Sequence, residues 1–198
     1  GLGRSGPAER GAPELMAPDP ALVAHLLRHS VKTGSFTLKS GRTSSWFIDA
    51  KQTVCRPDGL LLVADALLAA LPQGTTTLGG LTMGADPVAF GVAGVAAARS
   101  LDLRAFSVRK EAKGHGPGGR LAGALLAGDR VVITEDTVTR GASPLEAVRV
   151  VRELGAEVVG VVAVADRGGA CAALLDLEGI PFTALVTAPD LGFAYEGA

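Results

Sequence analysis

The run Val131-Val132-Ile133-Thr134-Glu135-Asp136-Thr137-Val138-Thr139-Arg140-Gly141-Ala142-Ser143-Pro144 sets two adjacent carboxylates before hydroxyls, a glycine and a proline. Its apolar beginning reads as a buried strand. Ser143-Pro144 reads as a helix N-cap followed by proline at the first helical position. A helix start offers unpaired backbone N–H groups and the positive end of the helix dipole, so the junction suits a phosphate. Gly141 lets the backbone approach closely, and Thr139 and Ser143 can donate hydroxyl hydrogen bonds. A plain capping box of Ser143 and Glu146 uses the same helix end and is compatible with this reading. It does not explain Glu135-Asp136. Two carboxylates beside an anion repel it unless they serve ribose hydroxyls, Mg²⁺ or a developing positive charge. The lysine of a nucleotide-triphosphate loop is missing, and the glycine spacing is not that of a dinucleotide fold. Residues 135–143 are therefore expected to hold a phosphorylated sugar.

A second group of residues is Arg109-Lys110-Glu111-Ala112-Lys113-Gly114-His115-Gly116-Pro117-Gly118-Gly119. Three cations and a histidine precede a glycine-rich stretch, directly after a predicted strand. A solvated basic turn is the ordinary reading. The glycines instead predict a flap that closes over an anion and excludes water during reaction.

These groups need elements to position them. Asp19-Pro20, Asp86-Pro87 and Ser143-Pro144 share the N-cap-then-proline device and predict helices over 20–32, 87–99 and 144–154. A further helix is expected over 57–71, ended by Pro72. Short apolar runs predict strands at 77–81, 105–108, 130–134, 158–164 and 182–186. The run 158–164 lacks polar alternation, as a strand covered by helices on both faces would. Alternating strands and helices imply an α/β, doubly wound, mainly parallel five-stranded sheet. Residues 36–38 and 45–49 flank a polar turn and predict a hairpin outside that sheet, a small N-terminal hood over the site.

With 198 residues the chain suits one globular domain, expected over 16–198. The segment 1–15 is rich in Gly, Pro, Ala and Arg and is expected to be a disordered tail or an expression remnant, with Met16 a candidate natural start. A net charge of −1 gives no general electrostatic case for nucleic acid or an anionic membrane, so any anion site must be local. No apolar run reaches the roughly 18–20 residues of a membrane span. Cys55 and Cys171 are far apart in the chain, and no secretory signal is visible. Free thiols and a cytoplasmic location are expected.

The run from Glu135 to Ser143 resembles the 5-phosphoribosyl diphosphate (PRPP) signature of type I phosphoribosyltransferases. The basic segment resembles the narrower Arg-Lys-x-x-Lys-x-His-Gly loop of orotate phosphoribosyltransferases within that family. Residues 36–44 resemble that family's substrate segment, with Lys39 at its orotate-contacting lysine. Trp46 and Phe47 follow at the aromatic position where a pyrimidine could stack, and Arg167 matches the arginine assigned to the orotate ring or carboxylate. Each feature has a plainer reading as a turn, core or ion-pair residue; their joint order favours the resemblance. It departs at 81–87, which lacks the Lys or Tyr that contacts diphosphate in some members, so backbone amides at 82–85 are the expected replacement. Arg140 also differs from the small residue or threonine many members carry.

The resemblance implies transfer of the phosphoribosyl group of PRPP to orotate with Mg²⁺, giving orotidine 5′-monophosphate and diphosphate in pyrimidine (UMP) biosynthesis. It assigns PRPP to Arg109, Lys110, Lys113, His115, Glu135, Asp136, Thr137, Val138, Thr139, Arg140, Gly141, Ala142 and Ser143. Orotate falls to Lys39, Trp46, Phe47, Thr139 and Arg167. Lys113, Asp136 and His115 are the expected catalytic residues. No metal ligand is certain; Mg²⁺ would come with PRPP, directly or through water near Glu135 and Asp136. A homodimer with shared sites is implied, without nucleic acid or membrane partners. Two rivals remain open: a phosphoribosyltransferase for a purine or uracil, and a PRPP-binding regulator that uses its basic segment on nucleic acid.

Overall fold

The computed structural model describes residues 17–37, 41–112 and 119–196. In chain order the elements are α1 (Pro20–His29), β1 (Val31–Thr37), β2 (Thr43–Ile48), α2 (Lys51–Val54), α3 (Pro57–Ala70), β3 (Thr77–Leu81), α4 (Ala85–Ala98) and β4 (Arg104–Val108). Then come β5 (Leu121–Gly123), β6 (Arg130–Val138), α5 (Ala142–Glu153), β7 (Glu157–Asp166), α6 (Cys171–Asp176), β8 (Phe182–Thr187) and a 3-10 turn, Pro189–Leu191. The main sheet has the order β5-β4-β3-β6-β7-β8. The five expected strands pair in parallel. A sixth, β5, was not expected and runs antiparallel to β4 at the edge. It is three residues long and too short to leave a pattern in the sequence.

Alternation along the strands divides the core between two faces. Val132, Val162 and Val164 join Leu22, Leu26, Val63, Leu67 and Val88 of α1, α3 and α4. Val131, Ile133, Val161 and Ala163 join Val148, Val151, Cys171 and Leu175 of α5 and α6. Burial on both sides is why 158–164 carries no polar alternation. β3 lies between β4 and β6: the chain runs outward from β3 to β4 and β5, then crosses back to β6 and runs the other way to β7 and β8, which puts a switch point at the carboxyl ends of β3 and β6. Ligands of open α/β sheets bind at such a switch point.

Asp19 caps α1 as expected, accepting from the Ala21 amide at 2.8 Å with Pro20 in the first turn. The other two caps need correction. α4 begins at Ala85, and Asp86 accepts from the Thr82 hydroxyl at 2.6 Å within the first turn. α5 begins at Ala142 behind Gly141, without a side-chain cap. Glu146 pairs with Arg120, so the Ser143–Glu146 capping box does not form. α1 also ends at His29, because β-branched Val31 and Thr33 enter β1 instead. β1 and β2 form the expected two-stranded antiparallel hood, longer on the first arm than the aromatic pattern suggested. Both cysteines are free. No helix among the described residues is long and apolar enough to cross a membrane.

The amino ends of the strands are tied together by one buried carboxylate. Asp129 accepts from the Leu126 amide at 2.8 Å, the Thr77 hydroxyl at 3.0 Å and the Thr76 hydroxyl at 3.2 Å, and pairs with Arg104. Burial alone would raise its proton affinity. The bonds from Arg104, Leu126 and Thr77 and the Arg104 charge outweigh burial and hold it below the ordinary carboxylate value. Its stabilising effect is therefore present above the unfolded-state value near 3.8 and lost as acid protonates it. Asp129→Ala strands these donors and is expected to cost about 3 kcal/mol. Calorimetry should show Tm lower by roughly 6–12 °C. Activity at low temperature should persist, since Asp129 lies at the sheet end away from the switch point.

Candidate active site

β6 runs past its pairing with β3, which ends at Gly79↔Ile133, and continues beside β7 through Glu135↔Ala163 and Val138↔Asp166. Glu135, Asp136, Thr137 and Val138, expected in a loop, are therefore the carboxyl end of a strand, buried except for the half-buried Thr137. The loop proper is residues 139–141, and Ala142 and Ser143 already belong to α5. Propensity gives no sign of this extension, because the partner that holds it is β7.

The acidic pair is buried, with Glu135 at 5 % and Asp136 at 6 % exposure. Lys51, at the start of α2, donates to Asp136 Oδ2 at 2.6 Å. Burial lowers the proton affinity of Lys51, but the Asp136 hydrogen bond and charge outweigh it and keep the lysine above its ordinary value. Burial, and then the charge and hydrogen bond of Asp136, push Glu135 up to about 8. Lys51 escaped the sequence reading, since nothing in Asp49-Ala50-Lys51 signals a partner 85 positions away. Gly84, in the turn after β3, lies so close to the pair that a Cβ there would overlap Glu135 Oε1 and Asp136 Oδ1. The Thr82 amide is taken by the Val108 carbonyl at 2.8 Å, which narrows the expected backbone donors of this turn to Met83, Gly84 and Ala85.

The Glu135 shift has a consequence for stability. Between the ordinary value near 4.5 and about 8, the folded chain binds more protons here than the unfolded chain. This group's contribution thus declines as pH rises through that window and is level above it. Glu135→Gln should flatten the fall, leaving the variant's Tm about 2–4 °C closer to wild type, or above it, at pH 8 than at pH 5. Parallel Tm–pH curves for the two proteins would contradict the assignment.

Beside the pair, a cavity of about 750 Å³ is lined by Thr137, Val138, Thr139, Arg140, Gly141, Ala142, Ser143 and Pro144. Gly141 has φ +88°. α5's first intrahelical bond runs from the Leu145 amide to the Gly141 carbonyl, and Pro144 has no N–H. The amides of Ala142 and Ser143 are left at the dipole's positive end. The Thr137 hydroxyl is buried with no partner among the described residues.

The rest of the wall comes from the hood and from the end of β7: Lys32, Phe36, Thr37, Arg42, Phe47, Arg167 and Glu196. Strand alternation separates the two expected aromatics. Trp46 faces inward at 2 % exposure and stacks on Phe193 at 4.5 Å, while Phe47 faces the cavity at 39 %. Expecting both to meet a ligand ignored the period of two; Trp46 is a core residue. Arg167 is 7 % exposed, lies over Trp46 at 5.3 Å, and donates from Nη2 to Ser44 Oγ at 3.1 Å and to the Trp46 carbonyl at 3.3 Å. Asp166 accepts from the Gly168 and Gly169 amides instead of pairing with Arg167.

On the basic segment, Arg109 Nη1 donates to the Leu121 carbonyl at 3.1 Å, and the backbones of Arg109 and Arg120 bond at 2.7 Å. Arg109 thus braces the β4–β5 hairpin. Lys110 is exposed. Lys39, Lys113 and His115 lie outside the described residues.

No family model matches the chain. It is 41% identical over 157 residues to the orotate phosphoribosyltransferase of Aquifex aeolicus (strain VF5), covering 79% of this chain and 86% of that one. It is similar to the crystal structure of Mycobacterium tuberculosis H37Rv orotate phosphoribosyltransferase in complex with Fe(III) dicitrate, with TM-score 0.76, 36% identity and coverage of 87% and 98%. The structure of the M. tuberculosis enzyme in complex with PRPP matches with TM-score 0.72 and 32% identity over the same shares. With a glycine-led helix start beside a buried carboxylate pair, and identity at this level along most of both chains, the chain belongs to the orotate phosphoribosyltransferase family.

Proposed function

We propose that this cavity is where the 5-phosphoribosyl group of PRPP passes to orotate, giving orotidine 5′-monophosphate and diphosphate. The observation that carries the reading is the cavity's two unlike walls. One is the 137–143 loop with the α5 amides, suited to a phosphate. The other is Phe47 with Arg167, suited to a flat carboxylated ring. The Ala142 and Ser143 amides and the Thr139 and Ser143 hydroxyls take the 5-phosphate, while Asp136, held by Lys51, faces the ribose hydroxyls. Its charge favours positive charge developing at C1 as the glycosidic bond loosens. Forming the N1–C1 bond releases the orotate N1 proton, which the departing diphosphate can accept, so positioning replaces a strong general base from the protein.

Two adjacent buried carboxylates, one with raised proton affinity, suit the charge of a divalent cation such as Mg²⁺. Glu135 and Asp136 would hold it, and when bound it supplies charge neutralisation for the diphosphate. Lys110, Lys113 and His115 are assigned to the departing diphosphate, with Arg109 bracing their loop. We take residues 16–198 as the transferase domain, working in the cytoplasm as a homodimer whose basic loop acts in the neighbouring subunit's site.

Loss of orotate absorbance in the presence of PRPP and Mg²⁺ tests the reaction. Consumption is expected with orotate and not with uracil or purine bases; none by folded protein would overturn the reading. Mixed Lys113→Ala and Asp136→Ala subunits should regain activity if sites are shared. No recovery despite proven subunit exchange would contradict sharing.

A further inference from the structure

The side of Arg167 that faces the cavity already meets a carboxylate from its own chain. After the 3-10 turn the backbone returns across the hood: Phe193 stacks on Trp46, Tyr195 packs at Gly169, and Glu196 reaches Arg167. Glu196 Oε2 accepts from Arg167 Nη2 at 2.5 Å, and both side chains line the cavity. Resting on the reading that Arg167 receives the orotate carboxylate, we propose that Glu196 is a built-in competitor for that arginine and sets the affinity for the carboxylated substrate.

The geometry suits an exchange better than a permanent clamp. Glu196 engages the guanidinium through a single oxygen, at a nitrogen that also serves Ser44 Oγ and the Trp46 carbonyl. Arg167 Nε is buried with no partner among the described residues. A planar carboxylate that binds two N–H groups at once satisfies more of the fork than Glu196 does. The two sides of the pair also differ in freedom. Arg167 is fixed by Ser44, Trp46 and the stacked ring, with 8 % of its side chain exposed, against 22 % for Glu196. The Glu196 amide donates to the Arg167 carbonyl at 3.0 Å, so the backbone stays tethered while the side chain turns aside. Two carboxylates cannot share this arginine cheaply, because each would face the other's charge. Substrate entry therefore requires Glu196 to leave, and its departure subtracts from the binding free energy.

The test is orotate binding by calorimetry, with steady-state KM, for wild type, Glu196→Gln, Glu196→Ala and Arg167→Gln. Both Glu196 variants should bind orotate about 3–10-fold more tightly, with KM for orotate falling and KM for PRPP within about twofold. Thermal melts will show whether each variant is folded. Trp46, the only tryptophan in the chain, lies 5.3 Å from the Arg167 guanidinium and should report the exchange of carboxylates there as a fluorescence change on orotate binding to wild type. Weaker orotate binding in both Glu196 variants would overturn the proposal and make Glu196 a substrate contact or a positioning residue for Arg167. Unchanged affinity would overturn it as well. If Arg167→Gln, shown to be folded, binds orotate as wild type does, the underlying assignment of Arg167 fails. If only the Glu196 variants fail to tighten binding, that assignment stands and the competitor role is lost.

Discussion

Asp136→Asn should lower kcat by about 10²–10³-fold while leaving the fold intact. The carboxylate lies at the end of a strand paired with β7, is nearly inaccessible and is held by Lys51 at 2.6 Å, so its position does not depend on substrate. A fixed charge of this kind costs no reorganisation as positive charge develops at C1, and removing one such stabiliser typically costs about 2.7–4 kcal/mol. Asparagine keeps the shape and the ability to bond ribose hydroxyls. Ground-state binding therefore survives better than turnover, and the loss should fall on kcat more than on KM for PRPP. Steady-state kinetics with PRPP varied at saturating orotate checks this. A kcat within tenfold of wild type would remove Asp136 from the chemistry.

Gly141→Val should have a comparable effect, by a different route. At φ +88° a β-branched residue is strained, and a Cβ would stand 2.8 Å from Cys171 Sγ and 3.3 Å from Cys171 Cα. The loop must move away from α6, taking the Ala142 and Ser143 amides with it. A shift of about 1 Å in a positioning group costs on the order of 100-fold. Here KM for PRPP should rise as kcat falls, since the phosphate grip is used in both states. Cys171→Ala removes the sulfur but leaves the crowding against the α6 backbone and the positive φ. The double variant should consequently recover only part of the loss, as measured by a double-mutant cycle. Full recovery would mean that the backbone at Gly141 is not constrained.

Much of the frame could be read from residue types alone because its causes are local. The unbroken apolar run of β7, the cap at Asp19 and the proline-ended α3 each carry their own signal. The junction that forms the 137–143 wall of the cavity was legible for the same reason, since a strand, a glycine and a helix start are contiguous. What escaped depends on interactions between distant parts of the chain. β6 extends through Val138 because β7 is beside it, and β5 exists because Arg109 and Arg120 bond across a hairpin. Ser143 looked like a cap, yet Gly141 in the left-handed region already ends the loop and starts the helix. Lys51, Gly84 and Glu196 sit in ordinary local contexts and acquire roles only when the fold brings them to Asp136, Glu135 and Arg167. Trp46 and Phe47 could have been separated by alternation alone, once both were placed on one strand.

If one cavity has a phosphate wall at 137–143 and a carboxylated-ring wall at Arg167 and Phe47, damage to each wall should be felt by a different ligand. Titration calorimetry of ribose 5-phosphate and of orotate against Gly141→Val and Arg167→Gln tests this most directly. Gly141→Val should lose ribose 5-phosphate binding at least tenfold and keep orotate binding within about threefold; Arg167→Gln should do the reverse. If both folded variants weaken both ligands equally, or neither variant affects either ligand, the two-walled cavity is contradicted.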